Sequence, residues 1–353
     1  MKLTTSRRSG AAPTLSDVAR AAGVSPMTVS RVINRDGNVR AATQHKVEAA
    51  IAALKYAPNT AARSLASGAQ TRIALIYGNP SSAYLSEVLV GCLTEASRSD
   101  VQLVLERCDT SQDHADIIRR IVEWKVDGVI LPPPFCDAGD IVAALLQADM
   151  PTAVLATGVP APGTFALSID DSAAARAMTD YLIALGHKRI GFIVGHPNQT
   201  ASAKRLAGYR QAIAAAGLPD DPMLIAAGDF SYRSGLAAAD RLLALPERPS
   251  AIFASNDDMA AAVIAAAHRL HLDIPAQLTV CGFDDTALAT TISPELTTVR
   301  QPIAQMAQAA VAMLADFARA RRAGRDVRPE TRLFDHQVIR RETDAKPTGV
   351  SRA

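Results

Sequence analysis

The sequence predicts an α/β chain: a small helical head followed by a larger core of two doubly wound parallel sheets with a cleft between them. Three observations predict it. From residue 72 onward, strand-like runs alternate with alanine-rich amphipathic stretches. Ahead of them stand three short helical segments, two of which are joined by a tight turn containing glycine. The charge is also divided. Residues 1–72 hold 11 Lys and Arg against 3 Asp and Glu, a net of +8, whereas the remainder holds 26 against 32, a net of −6. A basic head on an acidic body is the footprint of a segment that binds a polyanion.

The 353 residues suffice for two or three units, and an apolar fraction of 48% supports a large core. The opening MKLTTSRRSGAAP lacks the apolar stretch of a secretory signal and reads as a disordered leader over residues 1–13. In TLSDVARAAG, Ser16 is the expected cap of a first helix. Asp17 favours its positive end, and Val18, Ala21 and Ala22 form the apolar stripe before Gly23 ends it. In GVSPMTVSRVIN, Ser25 can cap a second helix whose first position suits Pro26. Val29, Val32 and Ile33 then share a buried face, while Met27 and Arg31 point away with Ser30 and Asn34 beside them. Two helices so joined make a helix-turn-helix, whose second helix can enter a major groove; an ordinary helical hairpin shares the pattern, and the basic charge argues against it. A third helix fits residues 43–56, with Val47, Ala50, Ile51 and Leu54 on one face and Pro58 stopping it.

The core is read from seven strand-like runs: RIALIY, VQLVLE, VDGVIL, PTAVL, RIGFIV, AIFA and LTVCGF. Helical stretches such as residues 172–185 and 204–216 separate them. These are too many strands for one comfortable sheet, so two lobes result, with ligands expected at the carboxyl ends of the strands. Cys92, Cys108, Cys136 and Cys281 form no CxxC pair and read as reduced, mostly buried residues. No apolar run is long enough to span a bilayer.

The segments TLSDVARAAGVSPMTVSRVIN, LKYAPNTAARSLASG, ALGHKRIGFIVG, AKRLAGYRQAI, SNDDMA, CGFDD and LTTVRQP, in this order, resemble the lactose-repressor (LacI/GalR) family of bacterial transcription regulators over residues 14–340. The resemblance implies a cytoplasmic dimeric repressor with a DNA-binding head at 14–58, a hinge helix and linker at 59–71, and a core like a periplasmic sugar-binding protein at 72–340. The first lobe would comprise 72–168 and 302–325, the second 169–300 and 326–340, with a flexible tail at 341–353. Residues 25–34 would be the recognition helix. Pro26 and Met27 fall where base-reading side chains vary. Arg31 falls at a base-contacting position, and arginine suits the O6/N7 edge of guanine. Thr28, Ser30 and Asn34 would make phosphate or positioning contacts. Ser16, Ser25, Arg40 and Tyr56 complete the implied DNA-contacting set around the head. In the hinge, Asn59 could cap a helix carrying Ala62 and Leu65, with Leu65 the wedge that kinks the minor groove. One departure concerns residues 39–43, where Val-Arg-Ala-Ala-Thr replaces a capping Ser or Thr. Either the third helix starts near Thr43, or Arg40 exchanges a cap for a phosphate contact.

For the effector, the resemblance implies Arg205, Asn256 and Asp284, whose donors and acceptors suit a polyhydroxylated ligand. Phe230 offers an apolar face to a ring. From the first lobe come Asn79 and Tyr84, with Ala156 where some relatives have a polar contact. A sugar is expected; a purine or other metabolite acting as corepressor is the alternative, and the sign of control is open. The tail RRETDAKPTGVSRA carries no leucine heptad, which implies a homodimer without a tetramer-forming helix. Phosphate-loop, dinucleotide-binding and nucleophile-elbow motifs are absent from the sequence, which argues against an enzyme. A periplasmic solute-binding protein would share the core but lack the basic head. No cofactor is implied, and His187 and His196 lack the ligand spacing of a metal site.

Overall fold

The computed structural model describes residues 13–33, 39–54, 56, 70–108 and 114–347. The chain divides into two compact units, Met1–Gln70 and Thr71–Ala353.

The first unit contains α1 (Leu15–Ala22), α2 (Pro26–Ile33) and α3 (Ala41–Leu54). Ser16 is not the cap of α1. Thr14 is: its hydroxyl accepts from Asp17 N, and the Asp17 carboxylate accepts from Thr14 N at 3.0 Å, a reciprocal capping box. The helix begins two residues earlier than expected, so its stripe turns with it. Val18 and Ala19 are buried, and Ala21 is exposed. Gly23 ends α1 at φ +66°, a left-handed conformation glycine adopts without strain. Ser25 caps α2, its hydroxyl accepting from Thr28 N at 3.2 Å. α3 begins at Ala41, ahead of Thr43, because the Arg40 carbonyl accepts from both Thr43 N and Gln44 N. The backbone supplies what the arginine side chain cannot. Val18, Ala19, Val29, Val47 and Ala50 form the buried centre, with Val32, Ile33, Ile51 and Leu54 packed around it.

The second unit has two six-stranded sheets. The first lobe is built from β1 (Thr71–Tyr77), α4 (Ser82–Ser99), β2 (Val101–Arg107), α5 (His114–Glu123), β3 (Gly128–Leu131), α6 (Gly139–Gln147), β4 (Thr152–Leu155) and β5 (Phe165–Ile169). The second follows with α7 (Asp171–Leu185), β6 (Ile190–Val194), α8 (Thr200–Ala215), β7 (Ile225–Ala227), α9 (Tyr232–Leu243), β8 (Ala251–Ala254), α10 (Asp257–Arg269), β9 (Thr279–Asp284), α11 (Leu288–Thr291) and β10 (Thr297–Arg300). The chain then returns to the first lobe through α12 (Ile303–Arg322) and β11 (Thr331–Phe334), and ends in the second with β12 (Gln337–Ile339). The strand orders are β11-β5-β4-β3-β1-β2 and β12-β10-β9-β8-β6-β7. All pairings are parallel except β10 with β12. Ile73, Ala74, Leu75 and Ile76 are all buried in succession, as expected of a parallel strand covered on both faces.

Two expected boundaries are corrected. Residues 331–334 pair with β5 and so belong to the first lobe, not the second. Residues 341–347 are not a loose tail. Thr343 Oγ1 accepts from Thr297 N, Asp344 accepts from the hydroxyls of Thr297 and Tyr181, and the Ala345 carbonyl meets His187 Nε2 at 2.9 Å. The polar residues of this stretch gave no apolar pattern to read. All four cysteines are buried and none is in a disulfide.

Helices α7 and α8 cross closely at Gly208. A Cβ there would lie 2.1 Å from the Ser172 carbonyl oxygen and 2.9 Å from Arg176 N, both backbone atoms that cannot turn aside. Gly208→Ala is therefore expected to destabilise the core by ~1–3 kcal/mol, as overpacking does. Urea unfolding followed by circular dichroism measures it; an unchanged midpoint would show that the two helices are free to part.

Candidate nucleic-acid face and inter-lobe cleft

On the head, α2 turns its apolar side inward, and what remains outside is the start of the helix. Ser25, Pro26, Met27 and Arg31 are exposed, Met27 at 66%. Thr28 and Ser30 are half-buried, and the Thr28 hydroxyl lies 2.9 Å from that of Ser25. Ser16 and Arg40 are exposed on neighbouring elements. Tyr56 is half-buried against the head core. Asn34, Asn59, Ala62 and Leu65 lie outside the described residues. The helix thus presents one guanidinium, one thioether and short hydroxyls on a single edge, the chemistry that reads base edges and grips phosphates.

In the second unit, both sheets direct the carboxyl ends of their strands at the cleft. Asn79, Tyr84, Arg205, Phe230, Asn256 and Asp284 all line one chamber there, with Ala156 on its wall. The chamber has a volume of about 30 Å³. That is room for about one water molecule.

Arg205 sits on α8, 4% exposed, and is the electrostatic centre. Its Nε donates to Asp171 Oδ1 at 2.8 Å and its Nη1 to the Ser255 carbonyl at 2.6 Å. Asp284 Oδ1 lies 3.8 Å away. The guanidinium stacks on Phe283, 3.6 Å from the ring centroid. Burial pushes the Asp171 carboxyl upward while Arg205 pulls it back. Burial also pushes Asp284 well above the usual carboxylate range, opposed by Arg205 and reinforced by Asp257. Asp257 itself, buried beneath the chamber and accepting from Thr286 and Thr298, is raised to about 7 by burial.

Asn256 and Asn79 line the chamber but spend their amides on architecture. Asn256 Oδ1 caps α10 through Met259 N, and its Nδ2 donates to the Phe230 carbonyl. Asn79 donates to the Pro133 carbonyl and accepts from Ser81 N. Phe230 adopts φ +70° and fills the space beside Gly195, where a Cβ would lie 2.0 Å from its ring. Ala156 (φ 55°) and Asp284 (φ 111°) are also left-handed. Three strained residues around one chamber, Ala156 from the first lobe and Phe230 and Asp284 from the second, mark a place where geometry outranks local comfort, at ~1–3 kcal/mol each.

Sequence reasoning missed Gln301. It follows β10 on the strand that crosses to the first lobe, and its Nε2 donates to Asp284 Oδ1 at 2.6 Å. The segment LTTVRQP contains it, but nothing in one sequence separates it from its neighbours. Its Oε1 and the Tyr84 hydroxyl are buried without a hydrogen-bond partner, and both residues line the chamber. Such orphans are costly and point to a ligand that satisfies them. The lobes also touch directly. Ser81 Oγ donates to Asp258 Oδ2 at 2.5 Å, and Asp137 accepts from the amide and hydroxyl of Thr200 at 2.9 and 2.8 Å.

Residues 14–59 match the family model for bacterial regulatory proteins of the lacI family, and residues 179–343 match the periplasmic binding protein-like domain. The ribose operon repressor of Escherichia coli (strain K12) is 36% identical over 307 residues, covering 85% of this chain and 92% of that protein. The HTH-type transcriptional repressor PurR of Photobacterium profundum is 32% identical over 325 residues, covering 91% and 95%. Among solved structures, the lac repressor dimer bound to operator and the anti-inducer ONPF superposes with a TM-score of 0.71 at 27% identity, covering 94% of this chain and 99% of that one. No described helix is long and apolar enough to cross a membrane.

Proposed function

Since the chain belongs to the lacI family of bacterial DNA-binding transcriptional repressors, we propose that it binds a palindromic operator as a homodimer and that a sugar in the inter-lobe cleft controls that binding. The observation that carries the effector reading is the convergence of Arg205, Asp284, Gln301 and Tyr84 on one chamber, two of them with unsatisfied buried polar atoms. Hydroxyl groups, each donor and acceptor at once, satisfy both orphans. The name of the ribose operon repressor supports a sugar, and that of PurR keeps a purine as the competing outcome. A thermal-shift screen of sugars and nucleobases on the full-length protein tests the choice. A shift given by nucleobases alone would overturn the sugar reading.

The homodimer reading rests on an apolar strip of the first lobe. Val90 and Leu93, one helical turn apart on α4, are 54% and 56% exposed, and Leu105 on the neighbouring edge strand β2 is 48% exposed. A second copy laid across this strip removes it from water and covers the strand edge. Light scattering at micromolar concentration reads the state directly; a monomer or a stable tetramer would contradict it. Operator binding places the protein's work in the cytoplasm.

On the head, Arg31 is the base-reading residue, Met27 and Pro26 shape the edge beside it, and Ser16, Ser25, Thr28, Ser30, Asn34, Arg40 and Tyr56 position the head on the backbone. Arg31→Ala is expected to cost ~1–3 kcal/mol per half-site and to relax base preference at one symmetric position. Selection of binding sites from a random pool checks this; an unchanged consensus would remove Arg31 from the role. Leu65, with Asn59 and Ala62 in the hinge, is proposed to wedge the central step of the operator.

A further inference from the structure

We infer that Asp137 of the first lobe is a clamp on the second: it caps helix α8 across the cleft and so fixes the angle between the lobes, whatever ligand the cleft takes. By position Asp137 is an ordinary acidic residue. It lies two residues before α6, where a carboxylate commonly serves its own helix. It does not serve α6, which starts without a side-chain cap. Its carboxylate turns instead to the start of α8. Oδ2 accepts from Thr200 N at 2.9 Å, and Oδ1 accepts from the Thr200 hydroxyl at 2.8 Å. Gln199, in the cap position of α8, gives that helix no side-chain bond. Helices α7, α9 and α10 of the same lobe are each capped by the residue just before them, Asp170, Ser231 and Asn256. α8 draws its cap from the other lobe.

The grip on Thr200 has two sides. While its hydroxyl donates to Asp137, the same oxygen accepts from Gly158 N at 2.7 Å, on the loop that follows β4 of the first lobe. Thr157, 2% exposed, donates its hydroxyl to Asp137 Oδ1 at 2.7 Å and accepts from Val159 N, an anchor for the carboxylate wholly within the first lobe. The fit is close: a Cβ on Gly158 would lie 3.1 Å from Thr200 Oγ1 and 3.0 Å from Lys204 Cγ. Covalently, the lobes are joined where the chain crosses between β5 and α7, between β10 and α12, and between β11 and β12. A swing about those crossings that parts the loops breaks all the bonds to Thr200 together. It strips the first amide of α8 of its acceptor and takes the carboxylate away from the positive end of the helix. Both groups return to water, so the cost is that of a lost helix cap and not of a buried, unsatisfied group. Because α8 carries Arg205, the clamp also sets where that guanidinium stands relative to the first lobe.

Double electron–electron resonance on the full-length protein measures the angle. Nitroxides at Asp116→Cys on α5 and Arg233→Cys on α9, exposed positions on opposite lobes, report the separation. The four native cysteines are buried, and dilution with unlabelled protein restricts the reading to distances within one chain. In this background Asp137→Ala is expected to lower the ratio of clamped to parted lobes by roughly 2- to 30-fold, the worth of a helix cap. Thr200→Val, which removes the hydroxyl at nearly constant shape, should shift the distribution the same way. Thr200→Ser, which keeps the hydroxyl, should leave it as in the parent. A distribution unchanged in both Asp137→Ala and Thr200→Val overturns the inference. So does a shift that Thr200→Ser shares with Thr200→Val, since the hydroxyl would then not be what holds the lobes. Should Asp137→Ala fail to fold, the two threonine variants decide alone.

Discussion

Replacing Arg205 by alanine is expected to lower the unfolding free energy of the core by ~3–5 kcal/mol, the cost of breaking a buried ion pair by removing one member. The geometry says why the effect is large. Asp171 is 3% exposed and Asp284 4%, and the nearest guanidinium to both is that of Arg205. Its loss also removes the donor to the Ser255 carbonyl and the plate stacked on Phe283. A cycle separates the charge from the packing. Arg205→Met alone should remain strongly destabilised. Arg205→Met with Asp171→Asn should recover much of the loss, because deleting both charges leaves little uncompensated. Urea unfolding of the four proteins reads the coupling. Additive losses would mean that Arg205 stabilises the core by shape and not by charge.

The ion pair also shows where the sequence stops being informative. Arg205 was legible because it sits in a recognisable segment. Asp171 was not, since it opens α7, 34 positions away, and looks like any acidic residue in a first helical turn. The same division runs through the fold. The seven apolar runs became strands because burial on both faces writes a continuous apolar signal. The strands β5, β7, β10, β11 and β12 carry weaker signals. β7 has three residues, β10 reads Thr-Thr-Val-Arg, and β11 is largely exposed at a sheet edge. Pairing with a neighbour, not composition, makes them strands. Helix starts were misplaced by two residues where a backbone carbonyl or an unsuspected Thr14 did the capping. In the cleft, sequence chose residues that the structure gathers, but not their tasks. Asn79 and Asn256 hold backbone, and the unsatisfied acceptor belongs to Gln301.

Asp284→Ala is expected to abolish the response to the effector while leaving operator affinity within a few-fold of the parent. Asp284 ends β9, and Gln301, bonded to it at 2.6 Å, follows β10 on the segment that crosses into α12 of the first lobe. A ligand bonded to this pair from the second lobe and to Tyr84 from the first favours one angle between the lobes. It can shift that angle only by its difference in affinity for the two states, typically ~1–3 kcal/mol of coupling. The first lobe begins at β1, which directly follows the head unit in the chain, so under the proposed switch a change of angle is expected to be felt at the head through the connecting chain. Removing the carboxyl deletes a buried hydrogen-bonding group and leaves its partners unsatisfied, at ~1–3 kcal/mol, comparable with the whole coupling. Alanine at φ 111° is strained, so Asp284→Asn is the companion variant. It keeps the acceptor for Gln301 and should weaken the ligand by roughly 5- to 150-fold, as a loss of about 1–3 kcal/mol implies. Operator occupancy titrated with effector distinguishes the outcomes. A flat response with near-parental DNA affinity supports the switch, whichever sign the parent shows. A full response from Asp284→Ala would remove the carboxyl from the effector site and leave the tie from Gln301 without a signal to carry.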